Sequence, residues 1–80
     1  MVCDVGSNAS VEAAVASVVS RHGSLDVAVN SAGIGFAGTV TAMKPEDFAA
    51  VLDTNTLGVF RTLRAEARAM KARGKGGSIV

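Results

Sequence analysis

The chain has no tryptophan, no tyrosine, one cysteine and one proline among its 80 residues. A lone Cys3 excludes an internal disulfide and a zinc site built from cysteine pairs. Three phenylalanines are the whole aromatic content. The basic residues gather between Arg61 and Lys75, interleaved with Glu66 and not with aromatics, which argues against a nucleic-acid groove. No apolar run approaches the ~20 residues of a membrane span, and the N-terminus lacks the charged and apolar regions of a signal peptide. The expectation is a cytoplasmic protein with neither nucleic acid nor membrane as partner. A net charge of +1 and a 49% hydrophobic composition suit a folded helix and sheet interior. Eighty residues suffice for one small domain, burying roughly 60 to 65% of its unfolded surface, and no second domain fits.

The most informative stretch is Leu25-Asp26-Val27-Ala28-Val29-Asn30-Ser31-Ala32-Gly33. A short β-branched run that stops at a small, polar turn reads as a buried parallel strand. In open α/β sheets, ligands lie in the crevice beyond the carboxyl ends of the strands, where Asn30 to Gly33 would sit. Small side chains there let a flat ligand approach the backbone, and an Asn amide both donates and accepts.

Ahead of it, Met1 to Val5 reads as the end of a strand, with Gly6-Ser7 opening a turn. On these residues alone Asp4 reads as a turn starter, with an acceptor facing a ligand as the alternative. Ser7 is a candidate N-cap, after which Val11, Ala14, Val15, Val18, Val19 and His22 share one helical face, and Gly23 supplies the left-handed stop. His22 has no Ser, Cys or carboxylate cluster beside it and reads as structural.

Gly33-Ile34-Gly35-Phe36-Ala37-Gly38 satisfies G-x-G-x-x-G, with Asp53 about 20 residues on. The chemistry of that motif needs a helix to begin within the glycines and face a pyrophosphate. Thr39-Val40-Thr41 is β-branched, and the next helix start is Pro45 with Glu46 and Asp47 in its first turn. Ile34 to Lys44 is therefore a loop over the crevice. A helical pattern then runs from Pro45 to Arg73, weakened at Asn55 and Gly58, so a kink near Asn55 is predicted. Arg64, Arg68 and Lys71 fall on its solvated face. Gly74 to Gly77 ends it, and Gly77-Ser78-Ile79-Val80 opens another strand.

Four of these signals resemble the short-chain dehydrogenase/reductase family in order and spacing. Asn30-Ser31-Ala32-Gly33 is similar to the N-N-A-G that closes the family's fourth strand. Cys3-Asp4-Val5 resembles the end of its third strand, whose Asp accepts from the adenine amino group. Asp53-Thr54-Asn55-Thr56-Leu57-Gly58-Val59-Phe60 resembles D-V-N-L-x-G-V-F, whose Asn belongs to an Asn-Ser-Tyr-Lys tetrad and holds a water in the proton relay. Thr54 departs from the usual Val. Gly77 to Val80 resembles the start of the fifth strand.

The resemblance implies an α/β fold, a partial Rossmann-like doubly wound parallel sheet: end of strand 3, helix, strand 4, long helix, start of strand 5. Residues 1–80 would form part of an NAD(P)-binding domain, lacking the T-G-x-x-x-G-x-G phosphate loop, the catalytic Ser and Y-x-x-x-K. It implies NAD or NADP as cofactor and an alcohol or carbonyl substrate. Asp4 and Val5 would hold adenine, Asn30, Ser31, Ala32 and Gly33 would line the adenosine and ribose side, and Asn55 would be the catalytic member present. No metal is implied. The 80 residues alone would be inactive, and the parent would be a homo-oligomer through the long helix. The alternative is a non-catalytic association module or remnant packing on a partner through residues 45–73.

Overall fold

The computed structural model of the chain describes residues 2–35 and 37–80. Helix α1 spans Asn8–His22. Ser7 starts it with extended backbone and a hydroxyl that accepts the Ser10 N–H at 3.2 Å. Gly23, at φ 82°, ends it by donating to the Val19 carbonyl at 2.8 Å. Val11 is 1% exposed, and Ala14, Val15 and Val19 are half-buried. Val18 and His22, placed on the same face by sequence, are exposed, so the buried stripe is narrower than the periodicity predicts.

Two short strands, β1 (Val27–Ala28) and β2 (Ser78–Ile79), lie side by side and parallel, Val27 opposite Ser78 and Ala28 opposite Ile79. Their ladder extends past both ends: Ser78 N–H donates to the Asp26 carbonyl, Val80 N–H to Ala28 and Asn30 N–H to Val80, at 3.0, 2.9 and 2.7 Å. Parallel neighbours require a long crossover. Here it is helical from Pro45 to Arg73: α2 (Pro45–Leu52), a π-helical turn (Asp53–Leu57) and α3 (Gly58–Arg73). Pro45 occupies the first turn with Glu46 and Asp47, where a missing N–H and two carboxylates suit the helix N-terminus. Gly74, at φ 80°, closes the run. Gly77 is dictated by packing, because a Cβ there would lie 2.6 Å from both the Asp26 carbonyl and the Met70 sulfur. An Arg73–Asp26 ion pair fixes the same corner.

Two expectations need correction. Val2 to Asp4 has no ladder partner among the described residues, and Val5-Gly6 is a turn; an extended segment becomes a strand only when another strand pairs with it. Met1 lies outside the described residues. Arg64 is not simply solvated: half-buried over the Phe60 ring, it donates to the Asn8 amide oxygen at 2.9 Å and so ties α3 to the start of α1.

Helix α1 packs on α3, and among the described residues the buried apolar side chains are Val11, Ala28 and Met70. Val27 and Val29 of the strand region remain 63% and 68% exposed. The radius of gyration is 15.0 Å, against about 12 Å for a compact domain of this length. The fold is thus a β-α-β slab with uncovered apolar surface, α/β with a two-stranded parallel sheet.

Candidate functional site at the carboxyl end of the first strand

The irregular turn in the crossover builds the site. Over Asp53–Leu57 the backbone widens to π geometry, with Gly58 N–H donating to the Asp53 carbonyl five residues back. The predicted kink is therefore a one-turn π bulge, a form that releases backbone groups from the α ladder and re-aims side chains. Asn55, in its middle, reaches across to the loop after β1. Its Oδ1 accepts the Ile34 N–H and its Nδ2 donates to the Ile34 carbonyl, both at 2.8 Å. Gly33 permits this approach, since a Cβ there would lie 3.3 Å from the Asn55 oxygen.

Asn30 ends the strand and holds three elements together. Its backbone N–H bonds Val80, while its side-chain Nδ2 donates to Glu66 Oε1 of α3 at 2.9 Å. Glu66 is 8% exposed, the buried charged residue of the fold. A cavity of about 300 Å³ opens here, with Val5, Asn30, Ser31, Ala32, Gly58 and Glu66 in its lining.

Asp4 forms a turn of its own. Its Oδ1 accepts the Gly6 N–H at 2.9 Å, its carbonyl accepts Ser7 N–H, and its N–H donates to the Ser10 hydroxyl. The second carboxylate oxygen takes no hydrogen bond among the described residues. Val5 is held from two sides. Arg61 Nη1 donates to its carbonyl at 2.8 Å, and Gly58 receives its side chain, a Cβ at 58 falling 2.9 Å from Val5 Cγ2. Arg61 is itself paired through Nη2 with Asp53 Oδ1 at 2.7 Å.

Of the residues singled out by sequence, Val5, Asn30, Ser31 and Ala32 share the cavity, and Gly33 joins Asn55 at the Ile34 contact. Asp4 stands beside them in its exposed turn. Arg61 and Glu66 were not anticipated. Their one signal is Gly58, a helix-interior glycine that marks a close approach, although sequence does not say by what. No helix starts within the described part of Gly33 to Gly38, as a phosphate fingerprint needs; Phe36 of that motif lies outside the described residues. Among the described residues no group of three or more His, Cys, Asp or Glu could hold a metal. No helix there is long and apolar enough to cross a membrane.

Small, exposed side chains at a strand's carboxyl end leave the backbone accessible in the crevice where open α/β sheets take their ligands. This arrangement defines a segment of a nucleotide-binding α/β fold. A family model described as enoyl-(acyl carrier protein) reductase matches residues 1–80, and the chain belongs to the short-chain dehydrogenase/reductase family. A relative from Mycobacterium tuberculosis, named (5R,7aS)-5-hydroxy-7a-methyl-1-oxo-2,3,5,6,7,7a-hexahydro-1H-indene-carboxyl-CoA reductase, is 42% identical over 80 residues, all of this chain and 30% of the relative. The crystal structure of a short-chain type dehydrogenase/reductase from Mycobacterium marinum superposes with a TM-score of 0.94 at 39% identity, covering 96% of this chain and 31% of that one. An actinorhodin polyketide ketoreductase (F189W) with NADPH superposes at 0.86 and 41% identity, over 95% and 30%. The chain spans about 30% of the length of these relatives.

Proposed function

We propose that this chain is the central segment of an NAD(P)-dependent short-chain oxidoreductase that moves hydride between a nicotinamide and an alcohol or carbonyl substrate. In this reading β1 and β2 are the fourth and fifth strands of the parent sheet, and Val2 to Val5 is the end of the third. The observation that carries it is the double hydrogen bond between Asn55 and Ile34, which brings the family's Asn-containing segment onto the loop following its Asn-Ser-Ala-Gly turn.

The nicotinamide supplies hydride chemistry when bound, and the protein supplies orientation and a proton path. Asp4 and Val5 would hold the adenine, with the free Asp4 oxygen as acceptor for its amine, and Asn30 to Gly33 would line the adenosine and ribose side. Asn55 serves the relay water. Because its side-chain amide is committed to Ile34, the group it offers that water belongs to the backbone of the π turn. The 80 residues alone turn nothing over, as they contain no tyrosine to act as general acid.

The test is a fluorescence titration of the full-length protein with NADH and NADPH, followed by turnover on a panel of ketones and secondary alcohols. Micromolar binding of one nucleotide and carbonyl-dependent oxidation are expected. Absence of both with a folded protein overturns the reading, and Asn55→Ala with unaltered turnover shows that the Asn55 side chain is not needed to hold the π turn in place for the relay.

A second reading concerns assembly. Phe48, Leu52, Phe60 and Leu63 of the crossover are exposed, which supports homo-oligomer formation through residues 45–73. Sedimentation of Phe48→Asp and Leu52→Asp should show a smaller species than the unaltered protein; identical sedimentation rejects this face.

A further inference from the structure

We infer that Arg61 is a positioning residue for the adenine half of the cofactor, holding Val5 in register with the π turn; this rests on the nucleotide-binding reading above. One guanidinium bridges two segments more than forty residues apart, with Nη1 on the Val5 carbonyl at 2.8 Å and Nη2 on Asp53 Oδ1 at 2.7 Å. The Arg61 side chain is 19% exposed and that of Asp53 43%, so the guanidinium end is largely shielded while the carboxylate stays in partial contact with solvent. The planar fork fixes both partners at once, which an ammonium point charge cannot do.

The surrounding packing agrees. Gly58 leaves room for the Val5 side chain and for nothing larger on the helix, with Val5 Cβ and Cγ2 at 3.2 and 2.9 Å from where a Cβ would be. Gly6 stands 3.4 Å, measured the same way, from the other Asp53 oxygen. Arg61 and Gly58 therefore set where Val5 stands, while Asp4 beside it is tied to the start of α1 through Ser7 and Ser10.

The geometry makes the π turn a shared anchor. Asp53 reaches the adenine-side segment through Arg61, and Asn55, two residues on, holds Ile34 directly. An α turn would rotate one of these side chains by about 100° per residue of register, separating the two attachments.

The experiment is calorimetric titration of the full-length protein with ADP-ribose, which contains the adenine half without nicotinamide, alongside steady-state kinetics with the dinucleotide. For Arg61→Met, the ADP-ribose Kd should rise about tenfold, the loss of a charge-assisted bidentate contact, and the KM for dinucleotide should rise with it by more than kcat falls. Arg61→Lys should recover only part of the loss. If Arg61→Met does not fold, Asp53→Asn, which keeps the Val5 bond, should show a smaller shift of the same kind. An ADP-ribose Kd within twofold of the unaltered protein, or a loss confined to kcat, overturns the role of Arg61. Failure of the unaltered protein to bind ADP-ribose and dinucleotide alike overturns the nucleotide-binding reading and the inference with it.

Discussion

Asn55 and Ile34 are joined like two paired peptide groups: the side-chain amide donates to the Ile34 carbonyl and accepts from its N–H, each at 2.8 Å. A side chain thereby replaces a strand as the hydrogen-bonding partner of a loop, just where the sheet ends and the crevice begins.

Asn55→Ala removes both bonds, each worth about 1 kcal/mol. Hydrogen exchange at the Ile34 amide in the full-length protein should accelerate about 10- to 100-fold while α1 amides keep their protection. Asn55→Asp should behave worse than its size suggests, because a carboxylate oxygen then faces the Ile34 carbonyl.

Gly58→Ala sets two effects against each other. Alanine gains about 1 kcal/mol in helix propensity. The new Cβ would sit 2.9 Å from the stiff, β-branched Val5, and overpacking of that kind costs about 1–3 kcal/mol. The clash should win, lowering the urea midpoint. Gly77→Ala should cost more, since one of its obstacles is the Asp26 backbone carbonyl at 2.6 Å and backbone cannot step aside.

Glu66→Gln retains an oxygen to accept from Asn30 Nδ2 and removes a buried charge, so its stability should match or exceed the unaltered protein. Glu66→Ala leaves the Asn30 amide without its partner and a small void. A loss of about 1–3 kcal/mol in chemical denaturation is expected.

Ser7→Ala deletes the oxygen that accepts the Ser10 N–H. The helix should lose about 1 kcal/mol, read as a lower denaturant midpoint at constant m-value.

Local chemistry made the helices legible. Ser7 and Gly23 bracket α1, and Pro45 with its two acidic neighbours starts α2, because caps act within one turn of the chain. The parallel strand within Leu25 to Asn30 was legible from its β-branched run, but it forms over Val27–Ala28 and its Val27 and Val29 are exposed, not buried; the position of the irregularity near Asn55 was legible from the conflict between a local Asn and a helical pattern. The roles of Arg61 and Glu66 were not. Periodicity assigns a charged residue to water, and what brings these two inside are partners 56 and 36 positions away, Val5 and Asn30. The segment before Val5 has the composition of a strand but is unpaired among the described residues, because strandedness needs a neighbour.

The parallel pairing of β1 with β2 also carries a schedule. Val27 meets Ser78 only after some fifty intervening residues are in place, and closing a loop of that length costs about 3.5 kcal/mol beyond a fixed term. The three ladder bonds that flank the pair, at about 1 kcal/mol each, fall short of it. The packing of α1 on α3 has to share that closure. As the polypeptide leaves the ribosome, Val27 and Val29 therefore wait with an open edge until the far end of α3 has emerged, the interval in which a nascent chain of this kind is most open to chaperones and to wrong partners.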